Sequence, residues 1–322
     1  MKVMVTGGAG FIGSHVTAAL LERGEKVVCI DNFHGLYYDP ALKWKRIEPF
    51  RGNPAWRLYQ GDIRDAKLLE QIFSREKPDK VIHIAALAGV RNSLKYPQLY
   101  EEINIKGTLN MLEAACRHEV RNFVFASSSS VYGERSHAPF REDEPADWPI
   151  SPYAATKRAG ELLCYTYHHL YSIPTTCLRF FTVYGPWGRP DMALYLFTSA
   201  IFEGRELTMF GDGTSQRDYT FIDDVVAGVL SALDADLDFE IINLGNCRTV
   251  MLRDFIALIE EACSRKARIR KLPMQPGDVR LTCADITKAQ QLLGYNPQTP
   301  IEEGVRIFVD WYRREMVGRG NK

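Results

Sequence analysis

KVMVTGGAGFIGSHVTAALLERGEKVVCID, residues 2–31, holds a strand, a tight turn, a helix and a second strand in succession. Val3 to Thr6 is a short apolar run that ends in glycines, and from Phe11 to Arg23 the residues Phe11, Ile12, Val16, Ala19 and Leu20 recur at helical spacing. Gly24 closes the helix as a C-terminal glycine does, and Lys26 to Ile30 is a β-branched run ending at Asp31. Gly7, Gly10 and Gly13 form GxxGxxG between strand and helix. Without a Cβ in the way, a pyrophosphate can meet the backbone amides around Phe11 and Ile12 at the helix N-terminus. The glycine pattern alone is common; the strand before it, the helix after it and the acid closing the second strand make it a dinucleotide signature. Asp31 lies 18 residues past Gly13, where a carboxylate accepts from an adenosine ribose diol and repels a 2′-phosphate, so NAD is favoured over NADP. Asp62, just after the next strand in QGDIRD, is positioned to accept from the adenine amino group.

The same rhythm extends outward. A strand near Trp56 to Tyr59, a helix near Asp65 to Arg75, a strand at Lys80 to Ile84, a long helix ending near Arg117 and a strand at Asn122 to Ala126 follow in turn. Past a loop rich in proline and acid, Pro139 to Pro152, come a helix from Tyr153 to Tyr171 and a strand from Thr175 to Arg179. Alternating strands and helices predict an α/β fold of Rossmann type, a doubly wound parallel sheet. After Gly185 the rhythm breaks at Pro186, Gly188 and Pro190, and short helices mix with isolated strands such as Glu240 to Leu244. The expected organisation is an NAD-binding domain over residues 1–185 and a smaller mixed α/β substrate domain over residues 186–322, with some later segments returning to the first. The final GRGNK reads as a frayed tail.

Composition excludes several classes of function. With 46% hydrophobic and 25% charged residues over 322 positions, the chain suits two globular cores and not disorder or a coiled coil. Forty Lys and Arg balance forty Asp and Glu, so no global charge draws the protein to nucleic acid or to an anionic membrane. The seven cysteines include no CxxC pair, which suits buried thiols in a reducing compartment, and the seven histidines lack metal-ligand spacing, so no metal site is expected. A secretory signal pattern and an apolar run of membrane-spanning length are both missing, and a cytoplasmic protein is expected.

Tyr153 and Lys157 stand four apart at the start of a predicted helix and share one face. The pair follows the apolar strand NFVFASSSS by one loop, with Ser128 lying 25 residues before Tyr153. A phenol is a poor base at pH 7, and a neighbouring ammonium favours its ionised form.

TGGAGFIG, Asp31, HIAALAGV, SSSSVYG and the Tyr153–Lys157 pair together resemble the extended short-chain dehydrogenase/reductase family over nearly the whole chain. That resemblance implies a Ser128 that hydrogen-bonds the reacting hydroxyl, a Tyr153 that removes its proton and a hydride passed to NAD. It also places Asn32, Ile63, Ala85, Ala86, Leu87, Asn104, Ser127 and Phe180 near the cofactor. RFFTVYGPWGRPDMAL, residues 179–194, is most similar to the UDP-glucuronate 4-epimerases of that family, with Thr182 where galactose epimerases usually carry Asn. SSSSVYG lacks the acid pair of the sugar 4,6-dehydratases and the single Glu of the UDP-glucuronate decarboxylases; Ser129 and Ser130 cannot replace a carboxyl acid or base. FGDGTSQRDYTFIDD resembles a uridine and diphosphate site with Arg217 on the phosphates, and Asp278 resembles a uridine-ribose ligand, although Gln275 replaces an Arg common in galactose epimerases. Thr182, Ser128 to Ser130 and Arg189 are the candidate holders of a substrate carboxylate, Arg189 being equally open to the diphosphate. The resemblance thus implies an NAD-dependent C4 epimerase of UDP-glucuronate that forms a homodimer through the helix from Tyr153 to Tyr171 and the one ending near Arg117. The alternatives are a UDP-galactose 4-epimerase, a UDP-glucuronate decarboxylase and a catalytically silent NAD-sensing module.

Overall fold

The glycine turn and the strands around it assemble into a seven-stranded parallel sheet. The computed structural model describes residues 1–235, 237–275 and 277–318, so of the GRGNK tail only Gly318 lies within the described residues. Among these the strands are β1 (Lys2–Thr6), β2 (Lys26–Asp31), β3 (Trp56–Gln60), β4 (Lys80–His83), β5 (Phe123–Ser128), β6 (Thr175–Phe180), β7 (Thr182–Tyr184), β8 (Glu206–Phe210), β9 (Gln216–Phe221), β10 (Phe239–Leu244), β11 (Thr249–Met251) and β12 (Arg268–Leu272). The large sheet runs β10-β6-β5-β4-β1-β2-β3. Helices cover both of its faces, which is why β1, β5 and β6 read as nearly unbroken buried runs. This is a Rossmann-like α/β fold. A three-stranded sheet, β11-β9-β7, and a two-stranded one, β12-β8, lie downstream with the helices Ala193–Phe202, Leu252–Cys263 and Ile301–Tyr312.

Two expectations need correction. β10, read as an isolated strand, pairs in parallel with β6 from Phe239 opposite Thr175 to Leu244 opposite Phe180 and forms one edge of the large sheet. The long helix ending near Arg117 is instead a series: Val90–Lys95, Pro97–Glu101, a π-helical turn Glu102–Lys106 and Gly107–Arg117. Pro97 has no N–H to continue the first piece and holds Tyr96 out of helical geometry, at φ −131° and ψ 52°. The π turn carries Asn104, whose buried side chain bonds both the amide and the carbonyl of Leu87.

The helix Pro152–Tyr171 starts under the control of Ser151, whose hydroxyl accepts from the Ala154 amide at 3.2 Å, with proline at the first helical position. It lies tight against β5 because Gly160 faces the Phe125 ring, which any Cβ there would overlap. One turn beyond Lys157, the fully buried Glu161 receives Arg179 of β6 at 2.8 and 2.9 Å, Ser127 of β5 at 2.6 Å and Arg158 at 3.0 Å. These three side chains satisfy one buried carboxylate, and they lock the helix to the two strands whose ends carry Ser128 and Phe180.

Candidate active site

Strand order reverses between β1 and β4, and the crevice at their carboxyl ends is where an open parallel sheet admits a ligand. Gly7, at φ 70°, brings the turn after β1 so close to the segment after β4 that a Cβ on it would stand 3.0 Å from Ala85, and a Cβ on Gly13 would overlap the Gly7 carbonyl. The following helix, Phe11–Glu22, begins at Gly10 with no side-chain cap and no acid in its first turn, so its leading amides are left for an anion. A cavity of about 180 Å³ opens there, lined by Gly7, Gly10, Phe11, Ile12, Gly13, Asp31, Asn32, Ile63, Ala85, Ala86 and Leu87 among others. A cradle that Cβ atoms would fill, backed by uncapped amides, fits a dinucleotide.

Asp31 is already tied down. Its carboxylate accepts from the amides of Phe33 at 2.8 Å and Ala9 at 3.2 Å and from Lys43 at 2.9 Å. Lys43 lines the same cavity and was not singled out from the sequence. Asp62 lies outside the cavity lining and receives Asn32, which is inside it, at 2.9 Å. Burial pushes Asp62 up, but hydrogen bonds from Arg64 and Asn32 outweigh it and hold the carboxyl at about 2. Asn104, Ser127 and Phe180 also stand behind the cavity wall: Asn104 shapes the Leu87 turn, Ser127 bonds Glu161, and Phe180 pairs across to Ser128.

Tyr153 and Lys157 share one buried helix face, as their spacing predicts. Burial pushes the Tyr153 phenol up, while the neighbouring Ser128 hydroxyl and the charge of Arg189 pull it down. The Lys157 ammonium donates to the Ala126 carbonyl at 2.6 Å, and burial holds it down at about 8. In this arrangement the charge of Arg189, a residue on the wall of both cavities, bears on Tyr153. Ser128, in extended backbone at the end of β5, also donates to Ser130 at 3.2 Å and accepts from the Ser130 amide at 3.2 Å. Ser128, Ser129, Ser130 and Tyr153 line neither cavity; the Tyr153 ring packs edge to face with the buried Tyr100 ring, 6.2 Å away centroid to centroid.

A second cavity, about 680 Å³, adjoins the first and brings together Thr182, Arg189, Arg217 and Asp278 from the sequence-predicted set. It adds Arg91 and Lys95, which the sequence did not flag although Arg91 directly follows HIAALAGV. Arg91 binds Asp278 at 3.0 Å and covers the Phe210 ring at 4.8 Å, so the expected ribose ligand is held by a cation from the far side of the chain. Arg217 donates to the Gln216 carbonyl at 2.9 Å from the start of β9. Arg189 lines both cavities. Its Nε and Nη2 bind the Asp191 carboxylate at 3.0 and 2.6 Å, and Nη2 also reaches the Ala88 carbonyl at 3.3 Å. Burial opposes its charge, but Asp191 more than compensates and holds the guanidinium above its ordinary value. The two cavities, one built for a dinucleotide and one lined with cations, meet at Arg189 beside a buried Ser–Tyr pair. Such an arrangement can bind an anionic sugar nucleotide and take a proton from one of its hydroxyls.

The family model described as GDP-mannose 4,6 dehydratase matches residues 4–308. A UDP-glucuronate 4-epimerase of Thermodesulfobacterium geofontis is 43% identical over 314 residues, covering 97% of this chain and 96% of the relative. UDP-glucuronate 4-epimerase 3 of Arabidopsis thaliana is 44% identical over 97% of this chain and 76% of its own length. In three dimensions the chain is similar to a UDP-glucuronic acid 4-epimerase of Bacillus cereus crystallised with UDP-glucuronic acid and NAD. The TM-score is 0.92 at 39% identity, over 98% of this chain and 99% of that one.

Proposed function

This chain belongs to the GDP-mannose 4,6-dehydratase family of extended short-chain dehydrogenases/reductases, and from that premise we propose that it is an NAD-dependent isomerase that converts UDP-glucuronate to UDP-galacturonate by inversion at C4. The observation that carries the choice of an acidic sugar is Arg189, a partly buried cation at the junction of the two cavities whose charge also reaches Tyr153. A carboxylate at C5 offers that guanidinium a partner on the sugar itself, which a neutral hexose lacks.

Bound NAD supplies the acceptor and donor of the C4 hydride. Gly7, Gly10, Phe11, Ile12 and Gly13 would hold its pyrophosphate, Asp31 with Lys43 would meet the adenosine ribose, and Asn32, Ile63, Ala85, Ala86 and Leu87 would complete the pocket, with Asp62 supporting Asn32 from outside it. Asn104, Ser127 and Phe180 support that pocket from behind. Lys157 orients the ribose next to the reacting centre and adds positive charge near Tyr153. Tyr153 takes the proton of the 4-hydroxyl, Ser128 holds the oxygen, and a 4-keto sugar results. Arg217 and Arg91 keep the diphosphate, with Asp278 on the uridine ribose, while the keto sugar turns over and presents its other face to Tyr153 for reprotonation.

The 4-keto acid is a β-keto acid, which loses CO₂ when the bond from C5 to the carboxylate stands perpendicular to the ketone plane. Thr182, Ser129, Ser130 and Arg189 restrain the carboxylate away from that geometry. The same proposal includes a division into an NAD-binding part over residues 1–185, completed by β10, and a UDP-sugar-binding part over residues 186–322. It also includes a homodimer through the helix Pro152–Tyr171, supported by the exposed Leu162, Tyr165, Leu170 and Tyr171 on that helix. It places the protein in the cytoplasm, a setting supported by its free cysteines. Among the described residues no helix is long and apolar enough to cross a membrane. The test is to incubate the purified protein with UDP-glucuronate and follow the products by NMR: UDP-galacturonate is expected, and a pentose product or no conversion would overturn the assignment. Light scattering of a monomer at micromolar concentration would overturn the dimer.

A further inference from the structure

Arg189 is gripped on more than one side. Asp191 occupies the guanidinium edge formed by Nε and Nη2, and the Tyr37 ring lies beneath its face, 4.7 Å from Cζ to the ring centroid. Tyr37 comes from the loop between β2 and the helix Ala41–Ile47, far from Arg189 in sequence, and it lines the dinucleotide cavity. Its hydroxyl is 2.7 Å from that of the fully buried Tyr100. Tyr100 has one proton to give, and its hydroxyl lies 2.9 Å from the Gly89 carbonyl and 3.2 Å from that of Ala88. The order of donation follows: Tyr37 donates to Tyr100, and Tyr100 donates to the 88–89 backbone. That backbone also receives Arg189 through Ala88, so the chain of contacts closes on itself. A second tie runs alongside. Arg46, on the helix that follows the Tyr37 loop, donates to the Trp187 carbonyl at 3.0 and 2.7 Å and to Gly188 at 3.3 Å, and binds Tyr38 at 2.7 Å. The backbone just before Arg189 and the face of its side chain are thus both fixed by residues 37–46.

We propose that Tyr37 is a positioning and specificity residue for acidic substrates. It fixes the plane of the Arg189 guanidinium so that the Nη1 edge, left over by Asp191 and Ala88, meets the substrate carboxylate. The inference rests on UDP-glucuronate being the substrate. A cation over an aromatic face is held in one plane, whereas a guanidinium held by one ion pair alone can tilt about that edge. Tilting matters here because a carboxylate that follows the tilting guanidinium approaches the perpendicular geometry from which CO₂ is lost. Tyr37 never touches the reacting carbon; it acts through Arg189.

The experiment uses NAD-loaded full-length protein and three variants, Tyr37→Leu, Tyr37→Phe and Arg189→Met, with the double variant Tyr37→Leu/Arg189→Met. Wild type is first run on UDP-glucuronate; failure to form UDP-galacturonate sinks the substrate assignment itself and is read separately. With wild type active, Tyr37→Leu should raise KM for UDP-glucuronate about tenfold and increase the share of product appearing as CO₂. Tyr37→Phe keeps the ring and loses only the link to Tyr100, so a smaller shift in the same direction is expected. In the double variant the loss should not exceed that of Arg189→Met alone, because Tyr37 has nothing left to hold. A CO₂ share in both Tyr37 variants equal to wild type, or losses that multiply in the double variant, overturns the proposal. If Tyr37→Leu does not retain NAD, Tyr37→Phe decides between the outcomes, and an unchanged KM and CO₂ share in that variant is the overturning result.

Discussion

At the glycine-turn end of the first cavity, what faces a ligand is backbone: the amides from Gly10 to Gly13 and the tight approach of Gly7 to Ala85. Around the second, it is long cationic side chains from separate parts of the chain, Arg91, Arg189 and Arg217. Two of these cations already hold an internal carboxylate, Asp278 for Arg91 and Asp191 for Arg189. A backbone cradle is fixed by steric exclusion and tolerates no added atom. A side-chain site is fixed by paired charges and can be retuned by moving one partner. The cofactor side should therefore fail abruptly when altered, and the sugar side should change selectivity by degrees.

The largest effect is expected where the two sides meet. Tyr153→Phe keeps the buried ring and both cavities but removes the base, so turnover should fall roughly 10²- to 10⁴-fold with NAD retention unchanged. A rate within tenfold of wild type would falsify the role of Tyr153. Thr182→Val probes the sugar side. The lost hydroxyl is a donor worth about 1.5–3 kcal/mol to a charged acceptor. Slower epimerisation of UDP-glucuronate with released CO₂ is expected, while UDP-glucose, where it is turned over, should lose little. Equal losses on both sugars, with no CO₂, would show that Thr182 does not read the carboxylate.

Gly13→Ala probes the cofactor side. Its Cβ meets the Gly7 carbonyl, a backbone atom that cannot swing aside, and the variant should lose about 1–3 kcal/mol of stability together with its bound NAD. Purification with a full complement of NAD and an unchanged melting temperature would contradict the steric account.

The smallest effect is expected for Lys157→Met, about tenfold at pH 7, the equivalent of one pKa unit on Tyr153. The deficit should narrow as pH rises, because Tyr153 ionises unaided in the variant while the wild-type ammonium, held at about 8, loses its charge. The stability of cofactor-free protein gives an independent check. A folded-state pKa below the unfolded one means that the unfolded chain binds the proton more tightly, so wild type should gain stability from about pH 8 towards 10.5, a gain the methionine variant lacks. Parallel pH profiles for the two proteins would remove Lys157 from both accounts.

The cofactor side was legible in sequence because its parts are contiguous: Gly7 to Asp31 spell the turn, the helix and the acid within one βαβ unit. The Tyr153 and Lys157 face was legible for the same reason, since four residues make about one helical turn. What escaped are pairings across sequence separations that leave no periodic trace. Lys43 on Asp31, Tyr37 on Tyr100 and Arg91 on Asp278 each join a loop or short helix to another segment. Thr182, Arg189 and Arg217 were found only through family resemblance. β10 looked isolated because its partner β6 precedes it by a stretch containing three other strands.

That late strand also sets an order of events during synthesis. Once β6 has left the ribosome, six strands of the large sheet exist, but the outer edge of β6 still presents unpaired amides and carbonyls. Its partner emerges only when Leu244 has been added, 64 residues after Phe180, which at about 5–20 residues per second is roughly 3–13 seconds. During that interval the edge is open to any passing strand, and a nascent chain stalled before residue 239 would keep it open indefinitely. Most of the sugar-side segment up to β10 is thus made before the dinucleotide fold can be completed, and a shortened gene encoding residues 1–185 alone should yield aggregate instead of a free-standing NAD-binding protein.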